Sequence, residues 1–115
     1  MRIEVRGRNR EVTDELHEHV EKRFKRIGRQ VSEYAVLEIE LSEEKNPRIA
    51  DSEVVEATLH LKRTTLRARE ASPDMLHSIH EVAEDLRRQV KRHREKRRKR
   101  SQTRQLAESQ RRHAA

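Results

Sequence analysis

The chain contains no cysteine and no tryptophan, and only one phenylalanine, one tyrosine, two glycines and two prolines. The first absence excludes disulfides, thiol nucleophiles and thiolate-ligated metals. Two isolated glycines, Gly7 and Gly28, cannot build a glycine-rich phosphate loop. With Phe24 and Tyr34 as the only large rings, the aromatic platforms that hold single-stranded nucleic acid are scarce. No apolar run is long enough to span a bilayer, and the opening MRIEVRGRNREV has no apolar signal-peptide core. The sequence therefore predicts a cytoplasmic protein without a membrane partner.

What the chain has is charge. Asp, Glu, Lys and Arg make up 43% of its 115 residues, and the net charge is +7. Such a composition favours disorder unless the apolar residues are periodic, and here they are. The charge is also unevenly placed. Through Leu86 there are 15 basic and 19 acidic residues; from Arg87 onward 13 basic residues face only Glu95 and Glu108. A cationic block of this kind points to a polyanionic partner.

RIEVRG alternates, with Ile3 and Val5 on one side, as a strand does. VTDELHEHVEKRFKRIG then changes to helical spacing, with Thr13 as N-cap, Leu16, Val20, Phe24 and Ile27 on one face, and Gly28 at the stop. YAVLEIELSE, SEVVEATLHLK and LRAREA alternate again. SPDM opens a second helix, with Ser72 as N-cap and Pro73 as its first residue. Its apolar stripe, Met75, Leu76, Ile79, Val82, Ala83, Leu86 and Val90, ends while nothing ends the helix. The expected fold is α+β, a β-α-β-β-β-α two-layer sandwich with two helices on one face of a four-stranded sheet. Residues 1–100 form the domain, the second helix overhanging from about residue 91, and residues 101–115 form a polar, basic, disordered tail.

Catalytic chemistry finds little support. His17 and His19 diverge by roughly 200° on a helix, and His77 and His80 have no third ligand nearby in sequence. Glu38/Glu40 and Glu43/Glu44 sit on or beside an exposed strand face, where solubility explains them. The expectation is a non-enzyme with no metal and no cofactor.

VKRHREKRRKR places eight Lys or Arg in the ten positions after Val90. Like charges three and four apart repel, as for Lys91 and Arg94, or Arg92 and Lys96, and only Glu95 relieves them. A sequence that carries this cost is better matched to phosphate than to bulk water. Such side chains position a nucleic-acid backbone rather than read bases, which favours structured RNA or a duplex. A membrane-surface helix would need an apolar face, and none follows Val90 until Leu106.

VTDEL, VEATLH, SPDM and LRRQVKRHREK, in this order and spacing, resemble the ribosome hibernation-promoting factors and the related ribosome-associated inhibitor. The likeness covers roughly residues 1–96. It implies a sandwich similar to double-stranded-RNA-binding domains and a non-catalytic protein that binds the small ribosomal subunit. There, helix cations would contact 16S rRNA where mRNA and tRNAs sit, silencing ribosomes under stress and in stationary phase. By position it implicates Arg23, Arg26, Arg29, Arg88, Arg92, Arg94 and Lys96 in rRNA binding; the charge argument adds Lys22, Lys25 and Lys91. Leu76 and Asp85 depart from the family pattern, which often has an aromatic and a basic residue there. The basic C-terminal segment is most similar to the short hibernation-promoting type, which acts with a separate ribosome modulation factor to pair 70S particles into 100S dimers; a long member reduced to its N-terminal domain would look similar. On that reading the protein is a monomer off the ribosome. The alternatives are a general duplex-RNA binder, or a modulator of transcription (sigma-factor modulation) using the open sheet face, with Glu38, Glu40, Glu56, His60, Arg67 and Arg69.

Overall fold

Alternation in the four strand segments yields a sheet with one dry face. The computed structural model describes residues 1–114, with side chains through Arg112. Its elements are β1 (Arg2–Arg8), α1 (Asp14–Gly28), β2 (Val36–Glu43), β3 (Glu53–His60), β4 (Thr65–Ser72) and α2 (Met75–Ala114). The sheet order is β1-β2-β3-β4. β1 and β2 are parallel, and the two remaining pairings are antiparallel. Register sets Val5 beside Ile39, Ile39 beside Ala57, and Ala57 beside Ala68. That row faces the helices, and Phe24, Ile27, Val82, Leu86 and Val90 seal it with at most 1% of their surface exposed. Burial of each such large side chain contributes about 1.5–3 kcal/mol.

Local chemistry sets the helix starts. The Thr13 hydroxyl accepts from the Leu16 amide at 3.2 Å and caps α1. For α2 the structure corrects the expected cap. Ser72 is taken by β4, opposite Glu53, and Pro73 lies outside the helix. Asp74 caps instead: its carbonyl accepts from the Ser78 amide at 3.0 Å and its carboxylate from the Leu76 amide at 3.3 Å. Ser72 supports that cap by accepting from the Asp74 amide at 3.2 Å.

The far end of α2 brings a second correction. Of residues 101–115, expected as a disordered tail, 101–114 continue the helix, and residue 115 lies outside the described residues. No Gly or Pro interrupts this stretch, and Arg, Gln, Ala, Leu and Glu in it are good helix formers. Beyond Val90 the rod runs about 36 Å at about 1.5 Å per residue. The molecule is consequently 70 Å long and 18 Å thin, with a radius of gyration of 18.6 Å, against about 13 Å for a compact chain of this size. No helix among the described residues is long and apolar enough to cross a membrane.

Gly7 is exposed, yet a Cβ there would collide with the Arg10 carbonyl oxygen, because the chain folds back at Asn9 (φ 55°). Asn is one of the residue types that tolerates this left-handed conformation. Gly7→Ala is therefore expected to destabilise the domain by about 1–3 kcal/mol in urea unfolding despite the site's exposure. An unchanged midpoint would contradict the close approach.

Candidate nucleic-acid interface

Each helix changes sign along its axis. In α1, Asp14, Glu15, Glu18 and Glu21 precede Lys22, Arg23, Lys25 and Arg26. In α2, Glu81, Glu84 and Asp85 precede the cationic run from Arg87. Cations in the last turn of α1 also suit the negative end of the helix dipole. The sheet decides where these runs go. β1, β2 and β4 point one way, and each helix returns across the sheet the other way, so both helices run in the same direction. The end of α1 lies beside the start of β1: a Cβ on Gly28 would be 3.4 Å from the Met1 side chain. At the same end, α2 passes the start of β4, where the Gln89 amide nitrogen donates to the Arg67 carbonyl at 2.7 Å. The two cationic segments thus emerge from one end of the molecule.

Lys22, Arg23, Lys25, Arg26, Arg29, Arg88, Lys91, Arg92, Arg94 and Lys96 are all exposed. None has a carboxylate within 4.0 Å among the described residues. The other side of the sheet behaves differently. There Arg6 pairs with Glu40 at 2.9 Å, Arg69 with Glu56 at 3.1 Å, and His60 lies 3.4 Å from Glu38. At the acidic end Arg10 pairs with Glu53. Arg6 and Arg69 on the sheet face are thus matched inside the chain, whereas the ten helix-end cations are not.

Three features were not evident from the sequence. Lys62 and Arg63, exposed in the β3–β4 turn, belong to the cationic end because His60 pairs with Val36 and Thr65; only the topology places them there. Arg87 is half-buried, holds Glu84 at 3.0 Å and keeps an unpartnered buried Nε. Asp85 accepts from Gln89 at 3.3 Å and so orients the side chain that donates to the Arg67 carbonyl of β4, which gives this family departure a structural role. Leu76 sits 37% exposed on the first turn of α2. Among the described residues no three His, Asp or Glu side chains gather as a metal-binding group.

Between the helices, His19 on α1 is half-buried, with Nε2 buried and unpartnered. Burial lowers its pKa below the usual 6.5, and the positive charges of Arg23 and Lys22 lower it further, with His80 of α2 in electrostatic reach. The Arg87 hydrogen bond, more than any other influence, holds the Glu84 carboxyl below its usual value.

The family described as Sigma 54 modulation protein / S30EA ribosomal protein matches residues 3–98. The ribosome hibernation promotion factor of Picosynechococcus sp. is 30% identical over 97 residues, covering 84% of this chain and 50% of that protein. Its counterpart in Lactococcus lactis subsp. cremoris is 34% identical over 99 residues, with 81% and 49% covered. The chain thus spans about half the length of these two relatives. The Azotobacter vinelandii ribosome hibernation promoting factor is 29% identical over 109 residues, 95% of this chain and 97% of its own. Among solved structures, the Thermus thermophilus Protein Y N-terminal domain superposes with a TM-score of 0.67 at 29% identity, covering 80% of this chain and 98% of that one. A ribosomal subunit interface protein from Coxiella burnetii shares the fold with a TM-score of 0.70 at 22% identity, covering 82% and 98%.

His19 gives the seam between the helices a pH signature. Its folded pKa is lowered, so below about pH 6.5 the unfolded chain takes up a proton that the native seam resists. Stability contributed by the neutral ring is full above that pH and is lost as pH falls towards the folded pKa. Glu84, whose pKa is depressed, loses its contribution only at lower pH. His19→Gln should therefore show a smaller drop in urea midpoint between about pH 7 and about pH 5.5 than the parent. An equal drop in both proteins would show that His19 titrates freely.

Proposed function

The chain belongs to the Sigma 54 modulation protein / S30EA ribosomal protein family, and from that premise we propose that it is a ribosome-associated hibernation factor that silences translation by occupancy. It binds the small ribosomal subunit through 16S rRNA phosphates, with Arg23, Arg26, Arg29, Arg88, Arg92, Arg94 and Lys96 as principal contacts and Lys22, Lys25 and Lys91 beside them. Binding excludes mRNA and tRNA sterically and favours hibernating particles, including 100S dimers formed with a separate modulation factor. No bond is made or broken in this mechanism, and no metal or cofactor takes part.

The observation that carries the reading is the gathering of exposed, unpaired cations from two parallel-running helices at one end of the domain. Ordinary surface charges are readily matched in place, as Arg6 and Arg69 of the sheet face are. Unmatched cations hold a counterion atmosphere, and its release on contact with phosphates drives association. The relatives' names point to the same partner. The sheet-face alternative, sigma-factor modulation through Glu38, Glu40, Glu56, His60, Arg67 and Arg69, would have to break the Arg69–Glu56 pair and separate His60 from Glu38.

If about six to ten phosphates are engaged, affinity for purified small subunits falls by about 10³- to 10⁵-fold between about 50 and about 200 mM monovalent salt. Joint replacement of Arg88→Glu, Arg92→Glu and Arg94→Glu should abolish co-sedimentation and relieve inhibition of in vitro translation, with the circular dichroism spectrum unchanged. A shallow salt dependence, or full binding by the triple variant, would contradict the reading.

A further inference from the structure

The cationic rod goes on past the residues that the family resemblance implicates, and its charge is arranged differently there. Val90 is the last buried residue of α2 and His93 is half-buried; Arg97, Arg98, Lys99 and Arg100 are all exposed. Successive residues of an α-helix point about 100° apart, so these four consecutive cations cover all sides of the rod. On α1 and its C-cap, by contrast, Lys22, Lys25, Arg26 and the capping Arg29 share one side, opposite the buried Phe24 and Ile27. None of the four rod cations is ion-paired among the described residues, and neither Glu95 nor Glu108 forms an ion pair there.

A flat phosphate surface would engage one side of such a rod and leave the remaining cations facing water and one another. We infer that Arg97, Arg98, Lys99 and Arg100 form a second phosphate-binding site that seats in a cleft between two RNA segments, contacting both walls. This rests on the ribosome-binding reading and extends it across the end of the family match, which includes Arg97 and Arg98 and stops before Lys99 and Arg100. An α-helix with side chains is about 10–12 Å across, whereas the deep groove of an A-form helix is too narrow for side chains to read. A gap between two separate RNA elements is the occupant that fits. An apolar partner has little to hold, since Leu106 is the one large apolar side chain exposed along the described rod.

Two double variants separate the walls. Arg97→Gln/Arg100→Gln removes charge from one side and Arg98→Gln/Lys99→Gln from the opposite side. Gln is close to Arg and Lys in helix propensity, so the rod should persist by circular dichroism. Binding of each full-length protein to purified small ribosomal subunits is measured across a series of potassium chloride concentrations. Each double variant is expected to reduce the slope of log affinity against log salt by about 1.4–1.8, at about 0.7–0.9 per lost phosphate contact. The charge-preserving doubles, Arg97→Lys/Arg100→Lys and Arg98→Lys/Lys99→Arg, should keep the parent slope. If only one Gln double lowers the slope, the rod lies on a single surface and the cleft is refuted. If neither does, or if the charge-preserving doubles lose it as well, the site is refuted while a steep parent slope leaves the ribosome-binding reading intact. Failure of the parent itself to bind would remove the reading and the cleft together.

Discussion

Each helix crosses the dry face of the sheet opposite in direction to β1, β2 and β4, and that shared direction is the constraint on which the cationic end depends. Both helices turn from acidic to basic part-way along. Had they run antiparallel, the basic half of one would lie against the acidic half of the other and the charges would cancel between them. Running the same way, they stack acid beside acid and base beside base. The apolar seal of Phe24, Ile27, Val82, Leu86 and Val90 holds this arrangement against the repulsion it creates.

Keeping those cations unpaired costs the fold little. An exposed ion pair contributes about 0–1 kcal/mol, so forgoing several of them leaves stability to the core. The gain is a strong positive potential at one end of a domain whose residues up to Leu86 carry more acid than base. Half-buried groups on the helices are treated otherwise. Burial disfavours the charged form of His19, and the Arg87 hydrogen bond favours the ionised form of Glu84. The exposed cations and the groups that hold the fold are thereby different residues of the same helices.

Much of this was legible in the residues alone, for identifiable reasons. Period-two alternation marked all four strands because the sheet is wet on one side only, and Thr13 marked its helix because its hydroxyl caps it. Ser72 misled because Ser-Pro-Asp offers two caps, and only pairing with Glu53 removes the first. The segment after Arg100 misled because polar composition is shared by frayed tails and by exposed helices; uninterrupted helix formers were the better signal. Lys62 and Arg63 could not be placed from sequence, since what brings them to the cationic end is strand register. Seven of the ten candidate cations came from the family resemblance, and Lys22, Lys25 and Lys91 from the density of charge, which local repulsion makes conspicuous; exposure of all ten is what the structure adds.

The central claim is that the helix ends, and not the sheet face, meet ribosomal RNA. Cryo-electron microscopy of the protein bound to purified small subunits tests it directly. The account predicts rRNA phosphates against Arg23, Arg26, Arg88 and Arg92, with the Arg6–Glu40 and Arg69–Glu56 pairs turned away from RNA and intact. A complex with RNA lying across the sheet, and the helix cations in open solvent, would contradict it.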